Sequence, residues 1–173
     1  MVLQTERLYL RELVPSDADQ LAEVLGDPEA MRFYPAPKSP EEILEWIEWS
    51  RRSYAEHGFG LWATVLKGSG LVIGDCGLTM QAVEGETFVE VGYHLSRNHW
   101  HRGLATEAAA ACRDHAFAVV GVDRLIALIR PENEPSWRLA ERLGMSVWRN
   151  TERNGLPHLV YSMTPPEWMR LQG

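Results

Sequence analysis

The stretch "EVGYHLSRNHWHRGLATEA", residues 90–108, decides how the chain folds. Its first six residues read as the end of a strand, and from Leu104 an alanine-rich run takes over at helical spacing. A strand that turns directly into a helix presents unpaired N–H groups at the helix start, where the partial positive charge also favours an anion. Gly103 lets the backbone come close to a ligand, and Ala105 with the alanines after it lets the helix lie near its sheet. Arg97, His99, His101 and Arg102 add positive charge locally. The stretch is not a Walker loop, because no Gly-Lys-Ser/Thr follows, nor a dinucleotide fingerprint, because it holds one glycine in the turn. From these residues alone, an anion cradle and a plain packing helix both remain open.

Upstream, "TERLYLREL" alternates Leu8, Leu10 and Val14 against Arg7, Tyr9 and Arg11, the period of a half-buried strand. A short helix capped by Ser16 or Asp17 follows, with Leu21, Val24 and Leu25 on one face and Gly26 and Pro28 to stop it. Pro40 starts a longer helix whose apolar positions Ile43, Leu44, Ile47 and Tyr54 run to His57-Gly58. "FGLWATVL", "LVIGDCGLTM" and "TFVEVGYHL" are strands divided by "KGSG" and "AVEGE", the connections of an antiparallel meander. Downstream come a helix over 104–120, the strand "DRLIALI", a helix from Pro135 to Gly144, and strands at "SVWRN" and "HLVYSMT". Seven strands and four helices without repeat or linker make a single mixed α+β domain over residues 1–173.

Bulk composition narrows the function. Lys and Arg total 17 against 24 Asp and Glu, a formal charge of −7, which disfavours nucleic-acid or membrane binding by overall charge and suits a cationic partner. Cys76 and Cys112 form neither a disulfide framework nor a zinc spacing, so a reducing cytoplasm is the expected setting. "MVLQTERLYL" has no apolar signal core, and no window approaches ~20 apolar residues.

The opening stretch resembles the fourth strand and acetyl-CoA loop of the GNAT superfamily of N-acetyltransferases. Its Trp-x-x-Gly-x-Ala-Thr-Glu-Ala form is similar to the Rim-type branch, which includes ribosomal-protein N-terminal acetyltransferases. "TERLYLREL" resembles that branch's first strand, "IGDCGL" its third, "NEPSWRLAERLGM" the segment after its fifth, and "HLVYSM" its last. Trp100 stands where the superfamily more often has Gln or Arg, a departure usual for the branch. The resemblance implies the GNAT fold, a mostly antiparallel sheet of about seven strands split between the fourth and fifth. It also implies acetyl-CoA as acetyl donor, without a metal, an amine as acceptor, and a monomer or homodimer.

The implied reaction is direct attack of an amine on the thioester in a ternary complex, which requires a deprotonated amine, support for the oxyanion and a proton for the thiolate. By resemblance, His94, Leu95 and Ser96 hold the pantetheine, with the Leu95 amide toward the thioester carbonyl, and His101, Arg102, Gly103, Leu104, Ala105 and Thr106 hold the pyrophosphate. Thr106 could equally be only a helix-start hydroxyl. Glu90, a carboxylate flanked by apolar residues on the strand leading to this loop, is the candidate base if burial raises its pKa; the alternative is a solvated strand carboxylate. His94 shares Glu90's face by parity and is a reserve base or acceptor contact.

The superfamily's proton-donating tyrosine falls at Ala140, so the usual donor is missing. Ser136 takes its place as candidate, with Asn133 as a pantetheine contact; Ser136 could instead serve the helix start. Tyr161 is a weaker alternative. Tyr34, Trp46, Trp49 and Trp62 are candidates for lining an acceptor pocket, or for the core. Cys76 reads as a buried thiol rather than a nucleophile, and His99 with His101 lacks the further ligands a metal needs. The missing tyrosine motivates the second reading, an acyl-CoA-binding sensor or interaction module with little turnover.

Overall fold

The computed structural model describes all 173 residues. The strands are β1 (Leu3–Gln4), β2 (Leu8–Glu12), β3 (Leu61–Leu66), β4 (Val72–Val83), β5 (Glu86–Leu95), β6 (Leu125–Ile129), β7 (Ser146–Arg153) and β8 (Leu156–Met163). The helices are α1 (Ala18–Leu25), α2 (Pro40–His57), α3 (Leu104–His115), α4 (Glu134–Arg142) and α5 (Pro165–Gln172). One sheet holds every strand in the order β1-β2-β3-β4-β5-β6-β8-β7. Seven of the expected strands are present, and the two-residue β1 makes an eighth. Two of the hairpins are tighter than the sequence suggested. β4 and β5 meet at Glu84 and Gly85, β7 and β8 at Asn154 and Gly155, and all four have positive φ, as a two-residue turn matched to strand twist requires.

Every neighbouring pair is antiparallel except β5 and β6, which run parallel and share only Val89↔Leu125 and Glu90↔Ile126. Beyond that rung β5 stays with β4 as far as Gly74↔Leu95 while β6 stays with β8 as far as Ile129↔Leu159. The sheet is therefore split where expected, and the split opens just after Glu90.

The two faces are covered separately. α3 and α4 close one face over the larger core, which includes Leu10, Cys76, Leu78, Val91, Leu104, Ala108, Cys112, Leu139 and Ala140. The alanines of α3 bring it close to β4 and β5, so the Cys76 and Cys112 sulfurs lie 3.6 Å apart as buried free thiols. Their mutual hydrogen bond and burial push the Cys76 pKa up, which leaves it inert as a nucleophile. α1 and α2 close the other face through Leu21, Leu25, Ile43 and Ile47. The Tyr54 hydroxyl fixes α2 to the sheet, accepting the Leu13 N–H and donating to the Leu61 carbonyl.

Four sequence expectations change. Leu44 is 48% exposed, because the α2 stripe is completed by Ser50 packed against the sheet. Val14 lies outside β2 and precedes the short turn Pro15–Asp17, while Leu13 takes the buried place. The helix read as 104–120 is α3 followed by a π-helical turn, Ala116–Val120. α5 is an additional helix, opened by a capping box between Thr164 and Glu167. No helix is long and apolar enough to cross a membrane.

Candidate active site

Even and odd residues of β5 serve different faces, so the split carries two sets of side chains. Cross-strand register sets Asp75 opposite His94 and Thr79 opposite Glu90, with Gly77 opposite Gly92 between them, all on the α2 face. A cavity of about 290 Å³ lies there, lined among others by Tyr34, Trp46, Trp49, Glu90, His94 and Arg153. On the α3–α4 side a cleft of about 750 Å³ is lined by Tyr93, Leu95, Gly103, Ala105, Thr106 and Ser136 among others. The two share Phe33, Tyr34, Tyr93, His94, Asn133 and Ser136, so they meet through the split in the sheet.

Glu90 sits at the last rung of the β5–β6 pairing, and its carboxylate accepts the N–H of Leu128 at 2.7 Å. That N–H faces the gap where β5 has already diverged, so the carboxylate takes the place of a missing strand partner. Burial pushes the Glu90 pKa up to about 7, against the lowering influence of the Leu128 N–H, Arg153, His94 and Thr79. The carboxylate is only partly exposed and opens onto the cavity rather than onto the outer surface. A group with this proton affinity can take a proton near neutral pH.

His94 lines both cavities, and its Nδ1 lies 2.7 Å from Asp75 Oδ1. Asp75 is fully buried, and its other oxygen accepts the Trp46 indole N–H at 2.8 Å. Tyr34 and Trp46 pack on the His94 ring, with centroids 5.1 Å and 5.9 Å away. Asp75 was missed in the sequence, although its position opposite His94 in adjacent antiparallel strands is the signal that could have found it.

On the cleft side, Asn133 caps α4 by accepting the Ser136 N–H. The Ser136 hydroxyl does not cap the helix. It lies 3.1 Å from the Tyr93 hydroxyl, which also donates to the Ser136 carbonyl. Tyr93, passed over in the sequence, is held protonated by burial. Ala140 is buried in the core, and Tyr161 lies there too with its hydroxyl toward Glu141, away from both cavities.

The segment read as a candidate anion cradle presents open backbone donors. His101 and Gly103 have positive φ, and no protein acceptor meets the backbone N–H of any residue from His101 to Thr106. The Thr106 hydroxyl also has no protein partner and faces the cleft. Glu107, the acid in the first turn of α3, is bound by Thr5 and Arg7 and does not compete for these donors. The Ser96 N–H is paired with the Ile73 carbonyl. Alternation along the antiparallel ladder then turns the Leu95 N–H away from β4, toward the split.

Three expected site residues move out of the site. Ser96 is buried with its N–H spent on Ile73 and lines neither cavity. Trp62 is on the opposite face of the sheet from the acceptor-side cavity, packed edge-on against His115 in the core. Arg102 offers its backbone, its carbonyl held by Arg7, while its side chain is absent from the cleft wall. The local positive charge is smaller than expected as well, since Arg97 pairs with Asp27 and burial, then Arg102, lowers the pKa of His99. Of the cleft-wall arginines from other elements, Arg32 and Arg138 are likewise paired, with Glu29 and Glu134, and Arg142 adds a cation without a carboxylate partner. No group of three or more His, Cys, Asp or Glu side chains comes together as a metal site.

Comparison with known proteins gives the family and the fold. A family model described as an acetyltransferase (GNAT) domain matches residues 7–146. YkkB of Bacillus subtilis strain 168 is 36% identical over 160 residues, 92% of this chain and 93% of the relative. The N-acetyltransferase p20 of Bacillus licheniformis is 33% identical over 143 residues, 82% of this chain and 80% of its own. Among solved structures, an acetyltransferase from Agrobacterium tumefaciens C58 superposes with a TM-score of 0.81 at 28% identity, covering 93% of this chain and 92% of that one.

Proposed function

The chain belongs to the acetyltransferase (GNAT) family, and from that premise we propose that it moves the acetyl group of acetyl-CoA directly to a primary amine in a ternary complex. The observation that carries the reading is the meeting of two cavities at one opening in the sheet, with a proton acceptor on one side and hydroxyls on the other.

Acetyl-CoA supplies an activated acetyl thioester. The row of free N–H groups from His101 to Thr106 fits its pyrophosphate, and the Leu95 N–H, turned into the split, supports the developing oxyanion. The acceptor enters from the Trp46 side, where aromatic walls and the Glu90 carboxylate suit a cationic amine on a small molecule or at a peptide N-terminus. Glu90 takes the proton that makes the nitrogen nucleophilic. Ser136, joined to Tyr93, donates a proton to the departing thiolate in place of the tyrosine absent at position 140.

The test is thiol release from acetyl-CoA with a panel of small amines and peptides, beside thermal stabilisation by the donor alone. Turnover on any amine supports the reading. Stabilisation without thiol release on every acceptor overturns it in favour of an acyl-CoA-binding module.

A further inference from the structure

We propose that Asp75 is a positioning residue that makes His94 a second proton acceptor of the reaction, an inference that rests on the acetyl-transfer reading above. The need for a second acceptor follows from proton balance. A protonated amine loses one N–H proton before it can attack and another as the C–N bond forms and the C–S bond breaks. Only one proton reaches sulfur, so one is released overall. Glu90 accounts for the first removal, and the second proton needs a group to carry it to the hydroxyl side, which has given one to sulfur.

The geometry assigns that role to His94. Asp75 and His94 are directly opposed on β4 and β5, and the fully buried carboxylate lies 2.7 Å from Nδ1. The Trp46 indole can only donate, so it claims the other Asp75 oxygen as an acceptor and fixes the carboxylate in place. Nδ1 then carries the hydrogen that Asp75 accepts, and Nε2, which has no protein partner, is left with its lone pair on a ring that lines both cavities. When Nε2 takes the second proton, the Asp75 carboxylate balances the imidazolium. That proton replaces the one passed from the hydroxyl side to the thiolate.

The arrangement makes Asp75→Asn informative in a way that simple removal is not. The Trp46 N–H still requires an acceptor, so the Asn carboxamide oxygen faces Trp46 and its NH2 faces His94 Nδ1. The imidazole is forced into the other tautomer, with hydrogen on Nε2, where it cannot accept. Trp46→Phe in the same chain releases the carboxamide, which can rotate its oxygen back to Nδ1–H.

The experiment measures kcat with saturating amine and acetyl-CoA, together with imidazole 15N chemical shifts of His94, assigned by their loss in His94→Gln. The expected result is hydrogen on Nδ1 in the wild type, on Nε2 in Asp75→Asn and again on Nδ1 in the double variant. kcat falls about 10²-fold in the single variant and recovers partly in the double. A loss of packing alone does not produce recovery on adding a second change in the cavity wall. Turnover in Asp75→Asn within about threefold of a working wild type, or an unchanged His94 tautomer, overturns this inference alone. A wild type that acetylates no amine overturns it together with the acetyl-transfer reading.

Discussion

Replacing Glu90 by Gln should weaken catalysis and strengthen the fold, with the second effect dependent on pH. The Gln side chain keeps an oxygen for the Leu128 N–H, so the hydrogen bond at the split survives. What disappears is the cost of holding a charge in the cavity. Burial raises the Glu90 pKa from 4.5 to about 7, which corresponds to about 3 kcal/mol at about 1.4 kcal/mol per tenfold change in proton affinity.

Because the cavity admits water to the carboxyl, about 1–3 kcal/mol is the expected gain at pH 8. The sign follows from the folded pKa lying above the unfolded one. Below 4.5 both states are protonated and Glu90 costs nothing; as pH rises to about 7, the unfolded chain ionises first and the wild type loses stability relative to the variant. For a chain of this length the gain is about 2–12 °C in Tm at pH 8, shrinking toward zero near pH 4. The assay is calorimetric or fluorescence melting of both proteins across pH, with kcat measured alongside. The wild-type rate should rise with pH through about 7, and the variant should lose about 10²-fold or more. A Tm difference that does not vary with pH would refute the placement of Glu90 as a buried carboxyl with raised proton affinity.

Further expectations concern the other side of the split and the core. Ser136→Ala and Tyr93→Phe should each lower kcat, and the double variant should lose less than the product of the two, because the hydroxyls act as a pair; full multiplication in steady-state kinetics would separate them. Gly103→Ala puts a side chain on a backbone with φ of +74° and should cost on the order of 1 kcal/mol while weakening coenzyme A binding in calorimetry; its Cβ meets only Arg7 at 3.5 Å, so misfolding is not expected. Trp62→Phe should lower Tm and leave the acceptor KM unchanged, since Trp62 is 1% exposed and does not line the cavity.

The frame was legible because its signals are local. Alternation marked β2, turn-rich connections divided β3 to β5, the glycine-to-alanine switch marked the start of α3, and the brevity of "DRLIALI" marked a buried strand. The elements that escaped have weaker local signatures. β1 is two residues long, and α5 begins on two prolines and is announced only by the Thr164–Glu167 box.

The site divides in the same way. Glu90, Ser136, Asn133 and the cradle lie on segments whose order in the chain is informative. Asp75 and Tyr93 acquire their roles only through cross-strand register and helix docking, which bring together residues 19 and 43 positions apart in sequence. Trp62 and Ser96 were misplaced because residue type does not reveal which face of a strand, or which edge of a ladder, a group occupies.

The hydrogen bond from Leu128 to Glu90 also makes the width of the slot and the charge at its end a single variable. The bond lowers the proton affinity of Glu90 and spans from one half of the sheet to the other. Any ligand that wedges the halves apart and lengthens it favours the protonated carboxyl, while any ligand that draws them together favours the ionised one. A cleft occupant that changed the width of the slot would in this way reach, through one backbone N–H, the charge on Glu90.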